Sequence, residues 1–281
     1  MSGDNFLISA SNVRVPLPIY GTAWKKEKTA GLVERAIDLG FRGIDTACQP
    51  QHYNEAGVGE GVAVALRSGL RREHLYIQSK FSPLNCQESS NVPYDPSASL
   101  TDQVAQSFLR SLDNLRTTYL DALLLHSPLS EPTDTMQIWR VMEDIFDRDG
   151  CKQLGVCNFY NLKQLEHLYH TARVKPVILQ NRFYAQTQYD KTIRKFCQQH
   201  RIIYQSFWTL SANPDVLAHP VLLALAKKYQ RTAAQIFFRF LCGCNIIPLT
   251  GTTSDEHMKQ ALAIVEFELH SSEIQMIESL L

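Results

Sequence analysis

The sequence predicts a (β/α)8 barrel, an α/β fold of the TIM-barrel type, in one domain spanning residues 1–281. Strand-like and helix-like segments alternate eight times along the chain with no compositional break to mark a second domain. Three apolar runs, 41–44, 75–79 and 122–125, each finish at an ionisable residue: Asp45, Lys80 and His126. If these strands are parallel neighbours, their carboxyl ends meet on one face, where barrels of this kind keep their functional side chains. A length of 281 residues suits one such barrel with a large core.

Taken in order, residues 15–20 read as the first strand, with Gly21, Thr22, Ala23 and Trp24 as its exit loop. Residues 29–39 carry Leu32, Val33, Ala36, Ile37 and Leu39 at helical spacing, and Gly40 ends that helix. The strand 41–44 then delivers Asp45, too costly to bury without a partner or a polar pocket. An aspartate in a turn also commonly caps the following loop, so this stretch by itself leaves both roles open. Helix 58–67 follows, and strand 75–79 leads to Lys80.

Residues 81–99 hold Pro83, Pro93 and Pro96 and read as a long loop. Loops of that length inside a compact domain are usually functional or disordered. Ser99 to Asp102 resembles a capping box for a helix that runs to Leu115. The chain continues with strand 122–125, helix 135–148, strand 154–156, helix 162–170 capped by Asn161, strand 177–180 and helix 187–200. Strand 202–206, a loop at 207–214, helices at 216–229 and 232–241, strand 246–248 and a last helix from Ser271 complete the pattern.

Composition narrows the function. Lysine plus arginine and aspartate plus glutamate both number 28, with no basic cluster, which argues against nucleic-acid or anionic-membrane binding. Residues 1–11 lack a charged-then-apolar leader pattern and no apolar run nears bilayer length, so a cytoplasmic location is expected. Seven scattered cysteines read as reduced thiols. Cys242 and Cys244 are too close together for a usual zinc pair and nothing completes a site, so no metal is expected.

The stretch Gly-Phe-Arg-Gly-Ile-Asp-Thr-Ala at 40–47, followed by Tyr53, Asn54, Glu55, Val58 and Gly59, resembles the first signature of the aldo-keto reductases. So do Ser111, Leu112, Leu115, Tyr119 and Asp121 leading to Leu124, Leu125, His126 and Pro128, the Gly-Val-Cys-Asn-Phe run at 155–159, and Ile247-Pro248. These marks stand in family order from about Gly21 onward. The resemblance implies NAD(P)H-dependent reduction of aldehydes or ketones by a tetrad of Asp45, Tyr53, Lys80 and His126.

The four residue types suit that chemistry. A tyrosine with an ordinary pKa near 10 is a weak acid. A neighbouring lysine can stabilise its phenolate, and an aspartate can hold that lysine charged. On this reasoning Lys80 should lower Tyr53 by two or three units. His126 would orient the substrate carbonyl. The hydride must come from a nicotinamide cofactor, since no side chain can supply it. The spacing departs from the family: Tyr53 abuts Asn54, His52 takes the aligned slot, and the region Gln49-Pro50-Gln51 must bulge for Tyr53 to point inward.

The resemblance also assigns the cofactor to Gly21, Thr22, Asp45, Cys157, Asn158, Gln180, Phe207, Trp208, Leu210, Thr250, Gly251, Thr252, Thr253 and His257. Cys157, Asn158 and Gln180 would take the carboxamide, and Phe207 would stack on the nicotinamide. The family's basic pair for the ribose phosphate is missing. His257, the backbone after Ser254 and Lys259 are left for that anion. NADPH is the expected cofactor, with NADH possible.

A C-terminal lid is not expected beyond the helix near Ser271. Instead loop 81–98 should cover the mouth, with Phe81, Tyr94, Trp24 and Trp208 joining Tyr53 and His126 around a wide pocket for bulky or cyclic carbonyls. A monomer or weak oligomer is expected. Two other functions remain open: a silent, cofactor-sensing barrel that has lost turnover, and a hydrolase using Asp45 and Glu55 as paired carboxylates.

Overall fold

The computed structural model describes residues 5–88 and 90–281. Among these residues there are ten strands: β1 (Phe6–Ile8), β2 (Arg14–Pro16), β3 (Ile19–Gly21), β4 (Gly43–Asp45), β5 (Tyr76–Phe81), β6 (Ala122–Leu125), β7 (Leu154–Cys157), β8 (Ile178–Arg182), β9 (Ile203–Phe207) and β10 (Ile246–Thr250). The last eight close into an all-parallel barrel in chain order, β10 pairing with β3 to complete the ring. Around it run α1 (Thr29–Leu39), α2 (Glu55–Arg67), α3 (Leu100–Leu115), α4 (Pro132–Asp147), α5 (Leu162–Thr171) and α6 (Lys191–Gln199). The ring of helices is completed by α7 (Pro214–Ala218), α8 (Pro220–Tyr229), α9 (Ala233–Gly243), α10 (Asp255–Leu262) and α11 (Ser271–Glu278).

The core has two layers, as the period-two alternation of a barrel strand demands. Outward residues such as Ile44, Ile77, Leu123, Val156 and Leu179 pack under the helices. Inward residues Ile19, Tyr76, Ala122, Leu124, Ile178, Ile203, Ile247 and Leu249 fill the lumen with Val15 and Leu17. The same alternation turns Tyr76, Gln78 and Lys80 of β5 all to the inside.

Several expectations need correction. Residues 15–20 are not one strand: β1 and β2 form an antiparallel hairpin, and the barrel proper starts only at Ile19. Pro16 and Pro18 supply no ladder N–H, so the run is broken between them. The helix expected over 216–229 is two helices, because Pro220 begins a new one capped by the His219 ring, which accepts from the Val221 N–H at 3.2 Å. Residues 185–190 form a 3-10 turn ahead of α6, with Gln188 and Tyr189 at positive φ. Elsewhere the caps hold: Gly40 closes α1 at φ 123°, and the Ser99 hydroxyl accepts the Asp102 N–H at 3.2 Å to open α3.

Two buried carboxylates brace this scaffold. Asp121 takes Arg72 at 2.8 Å, Lys152 at 2.7 Å and the Ile77 N–H at 3.0 Å, tying β5 and β6 together away from the strand ends that matter for chemistry. Glu55, at the start of α2, accepts from Ser79 of β5, from Ser111 at 2.9 Å and from Asn114 at 3.1 Å. Burial raises its pKa. It is therefore spent on packing between the sheet and α3 and does not face Asp45 across a cleft, which removes the basis of the paired-carboxylate hydrolase.

Candidate active site

At the carboxyl end of the barrel a cavity of about 700 Å³ is lined by the exits of β3, β4, β6, β7, β8, β9 and β10. Its floor is built around Asp45, the last residue of β4. Lys80 Nζ lies 2.7 and 2.8 Å from the two carboxylate oxygens and donates a third bond to the Thr46 carbonyl at 2.9 Å. The paired roles left open for Asp45 are thus decided: it is buried and partnered.

Below this ion pair lies a layer of three amides, of which Gln180 was expected at the site while Gln78 and Gln205 were missed. Gln78 and Gln180 both donate to Asp45 Oδ1, at 2.6 and 2.9 Å, and both donate to Gln205 Oε1, at 2.8 and 3.0 Å. Gln205 returns a bond to Gln78 Oε1 at 3.1 Å. The signal was present: a glutamine at an inward position of an otherwise apolar strand must find partners, because an unsatisfied buried amide is costly. Thr22 serves the same end from the side, its hydroxyl donating to the Asp45 carbonyl at 2.8 Å. It is fully buried there and does not line the cavity.

The insertion after Asp45 is absorbed by a closed turn. Cys48 N–H pairs with the Lys80 carbonyl at 3.1 Å, so the chain first continues beside β5. The Gln49 carbonyl then accepts from both His52 N–H and Tyr53 N–H at 3.0 Å, turning the chain back toward Asn54, which caps α2 by accepting from Gly57. The turn sends the two aromatic side chains apart. Tyr53 goes inward, its ring centroid 5.2 Å from Lys80 Nζ and 6.0 Å from the His126 ring. His52 lies at 4.1 Å against Trp24, with Nδ1 held by Gln49 Oε1 at 2.9 Å.

Burial and charge set the protonation states. Burial pushes the Tyr53 phenol up to about 12, with Lys80 pulling the other way and Asp45 adding to the rise. The expected lowering does not occur in the protein alone, because burial of the phenol outweighs the pull of Lys80. Burial opposes the charge of Lys80, yet Asp45 and Tyr53 leave its pKa above the ordinary lysine value. Burial, Lys80 and His52 together hold His126 well below the usual histidine range, so it is neutral. Its Nδ1 is 2.6 Å from Ser82 Oγ.

Of the other expected residues, Gly21, Cys157, Asn158, Gln180, Phe207, Trp208, Leu210, Thr250, Gly251 and Thr252 line the cavity, as does Trp24. Thr253 and His257 do not. His257 sits in the first turn of α10 beside Asp255 and Glu256, its N–H bound to Ser254 Oγ at 3.4 Å. Two carboxylates in that turn oppose an anion at the helix N-terminus. Phe81 and Tyr94 are also off the cavity: they pack on each other at 5.7 Å between centroids, and the Tyr94 hydroxyl donates to the Ser82 carbonyl at 2.8 Å. Gln87 of loop 81–98 bonds the carbonyls of Cys48 and Ser82 at 3.0 and 3.1 Å, and among the described residues of its middle only Cys86 reaches the cavity.

Lining residues without a sequence expectation include Lys25, Gln49, Ser127, Arg182 and Phe238. Lys25 bonds the Gly251 carbonyl, bridging the first and last barrel loops. The amide donors of Gln180 and Asn158 are already used, Asn158 Nδ2 going to the His126 carbonyl at 2.9 Å. What they present to a ligand is Gln180 Oε1 and Asn158 Oδ1, two acceptors suited to a carboxamide NH2.

A family model described as "Aldo/keto reductase family" matches residues 19–281. The chain belongs to that family. As an aldo/keto reductase, it is an oxidoreductase with the (β/α)8 barrel read from its sequence. It is 31% identical over 249 residues to an uncharacterized oxidoreductase, YtbE, of Bacillus subtilis, covering 88% of this chain and 82% of that one. It is 28% identical to NADPH-dependent codeinone reductase 1-1 of Papaver somniferum, across 99% of this chain and 90% of the relative. A solved aldo-keto reductase of Bombyx mori in complex with NADP superposes with a TM-score of 0.82 at 25% identity, covering 99% of this chain and 93% of that one. No helix among the described residues is long and apolar enough to cross a membrane.

Proposed function

We propose that this chain reduces aldehydes or ketones to alcohols with NADPH, reversibly, using Tyr53 as the proton donor. The observation that carries this reading is the position of the Tyr53 ring between the Lys80 ammonium and the His126 ring, at 5.2 and 6.0 Å, inside the cavity at the barrel's carboxyl end. When bound, the nicotinamide supplies the hydride that the carbonyl carbon requires.

The chain's own residues do the rest. Phe207 offers an aromatic face, Asn158 and Gln180 offer carboxamide acceptors, and Lys25 sets a cation between the first and last loops for the cofactor's phosphates. NADPH over NADH rests on the family and on the cofactors named for its relatives in Papaver somniferum and Bombyx mori. Asp45 keeps Lys80 charged and fixed, and Lys80 favours the phenolate left when Tyr53 gives its proton to the developing alkoxide. With Ser82 donating to Nδ1, neutral His126 turns Nε2–H toward the substrate oxygen and orients it. The two exposed indoles, Trp24 and Trp208, wall an open mouth that suits bulky or cyclic carbonyls.

Cofactor fluorescence on titration with NADPH and NADH tests the first requirement, and NADPH oxidation across a panel of aldehydes and cyclic ketones tests the second. Absence of binding to either cofactor sinks the proposal. Binding with no NADPH oxidation by any carbonyl would instead favour the silent sensor.

A further inference from the structure

Arg182 stands out among the cavity residues. It ends β8, lines the cavity and is half-buried. Its guanidinium lies 4.1 Å from the centroid of the Trp208 ring and 5.2 Å from that of Tyr184. No carboxylate among the described residues is within salt-bridge distance of it, in contrast to the paired Arg72, Arg173 and Arg194. Its Nε is buried without a hydrogen-bond partner.

An arginine is charged at any pH of interest, and burying part of that charge unpaired is expensive. Stacking on indole and phenol rings occupies the faces of the guanidinium and leaves its in-plane N–H donors free. That edge matches a planar oxyanion, which can accept two parallel bonds from it. The field agrees. Among the described residues Asp45 is the only carboxylate lining the cavity, and Lys80 neutralises it, whereas Arg182 and Lys25 are both cationic. A chain with no net charge thus concentrates positive charge where its ligands bind.

The two cations have different neighbours. Lys25 is tethered to the Gly251 carbonyl, between the loops after β3 and β10. Arg182 belongs to the opposite wall: its backbone N–H donates to the Tyr160 hydroxyl at 3.0 Å, that hydroxyl donates to Asn158 Oδ1 at 3.2 Å, and Asn158 Nδ2 donates to the His126 carbonyl at 2.9 Å. Arg182 is in this way registered to the residue that would orient the carbonyl. We propose that Arg182, clamped by Trp208 and Tyr184, anchors a carboxylate of the substrate, so that the preferred substrates are aldehydes or ketones that also carry an acid group. This rests on the reductase reading given above.

The test compares benzaldehyde with 4-carboxybenzaldehyde in the unaltered protein, Arg182→Met and Arg182→Lys. The unaltered protein should favour the acid. Arg182→Met should raise KM for 4-carboxybenzaldehyde about ten- to hundredfold, the range of one charge-assisted pair, and lower its kcat/KM relative to benzaldehyde by the same factor. Arg182→Lys should recover part of that ratio. Equal losses for both aldehydes would overturn the proposal, as would a weaker NADPH affinity with the ratio unchanged, which would assign Arg182 to the cofactor's phosphates. Should neither aldehyde turn over at all, the reductase reading fails separately, and benzoate titrated by tryptophan fluorescence still decides the anion site. Quenching by benzoate that Arg182→Met abolishes supports the site; no response in the unaltered protein refutes it.

Discussion

Replacing Tyr53 by phenylalanine tests the proposed proton donor, because it removes one hydroxyl and leaves the ring that packs between Lys80 and His126. A general acid contributes about 10²- to 10⁴-fold, or roughly 3–5 kcal/mol of barrier, so kcat should fall by that factor. NADPH affinity should change little, since the proton moves only in the transition state. His52→Ala should cost about tenfold or less, because His52 reaches the site only through its stacking on Trp24 and its bond to Gln49. Steady-state kinetics with a carbonyl, together with cofactor titration, separate the two variants.

The pH dependence follows from the same residue. With Tyr53 pushed up to about 12, the acid form needed for reduction persists throughout pH 6–9, and only roughly one molecule in ten thousand is ionised at pH 8. Reduction should therefore be flat over that range, and His126, held neutral, adds no titration. Alcohol oxidation needs the phenolate and should rise about tenfold per pH unit. The assignment of Tyr53 fails if His52→Ala is the more damaging change, or if reduction declines tenfold per unit above neutrality.

Lys80→Met leaves Asp45 buried without its counterion. A broken buried pair costs about 3–5 kcal/mol, which lowers the melting temperature of a protein this size by roughly 6–15 °C, and adding Asp45→Asn should restore part of it; calorimetry that finds no such recovery contradicts the pairing. Gly59→Ala would place a Cβ 2.1 Å from the Asn114 carbonyl, where α2 meets α3, so thermal unfolding should show a loss of about 1–3 kcal/mol with the kinetics of the remaining folded protein unchanged. Tyr94→Ala removes a ring packed on Phe81 and should destabilise by about 3–5 kcal/mol. A change in substrate KM without any loss of stability would return loop 81–98 to the pocket.

The eight alternations, the helix caps at Gly40 and Ser99, and the placement of Asp45, Lys80 and His126 at strand ends were legible in the sequence because they depend on local periodicity and on what ends each strand. Parallel closure then brings Asp45, Lys80 and His126 together whatever the loops do. The choice between His52 and Tyr53 was not settled in this way, since adjacent side chains are separated only by the turn that Gln49 closes. Nor could strand pattern alone show that Gln78 and Gln180 converge on the Asp45 carboxylate and that Gln205 links them, because the three come from different strands and meet only across the lumen. The placements of Phe81, Tyr94 and His257 went astray for a related reason: proximity in sequence to a catalytic strand or a cofactor loop does not decide which way a side chain is buried. The pKa of Tyr53 belongs wholly to the tertiary structure. Lys80 does pull the phenol down, but burial, with Asp45 beside it, raises it further.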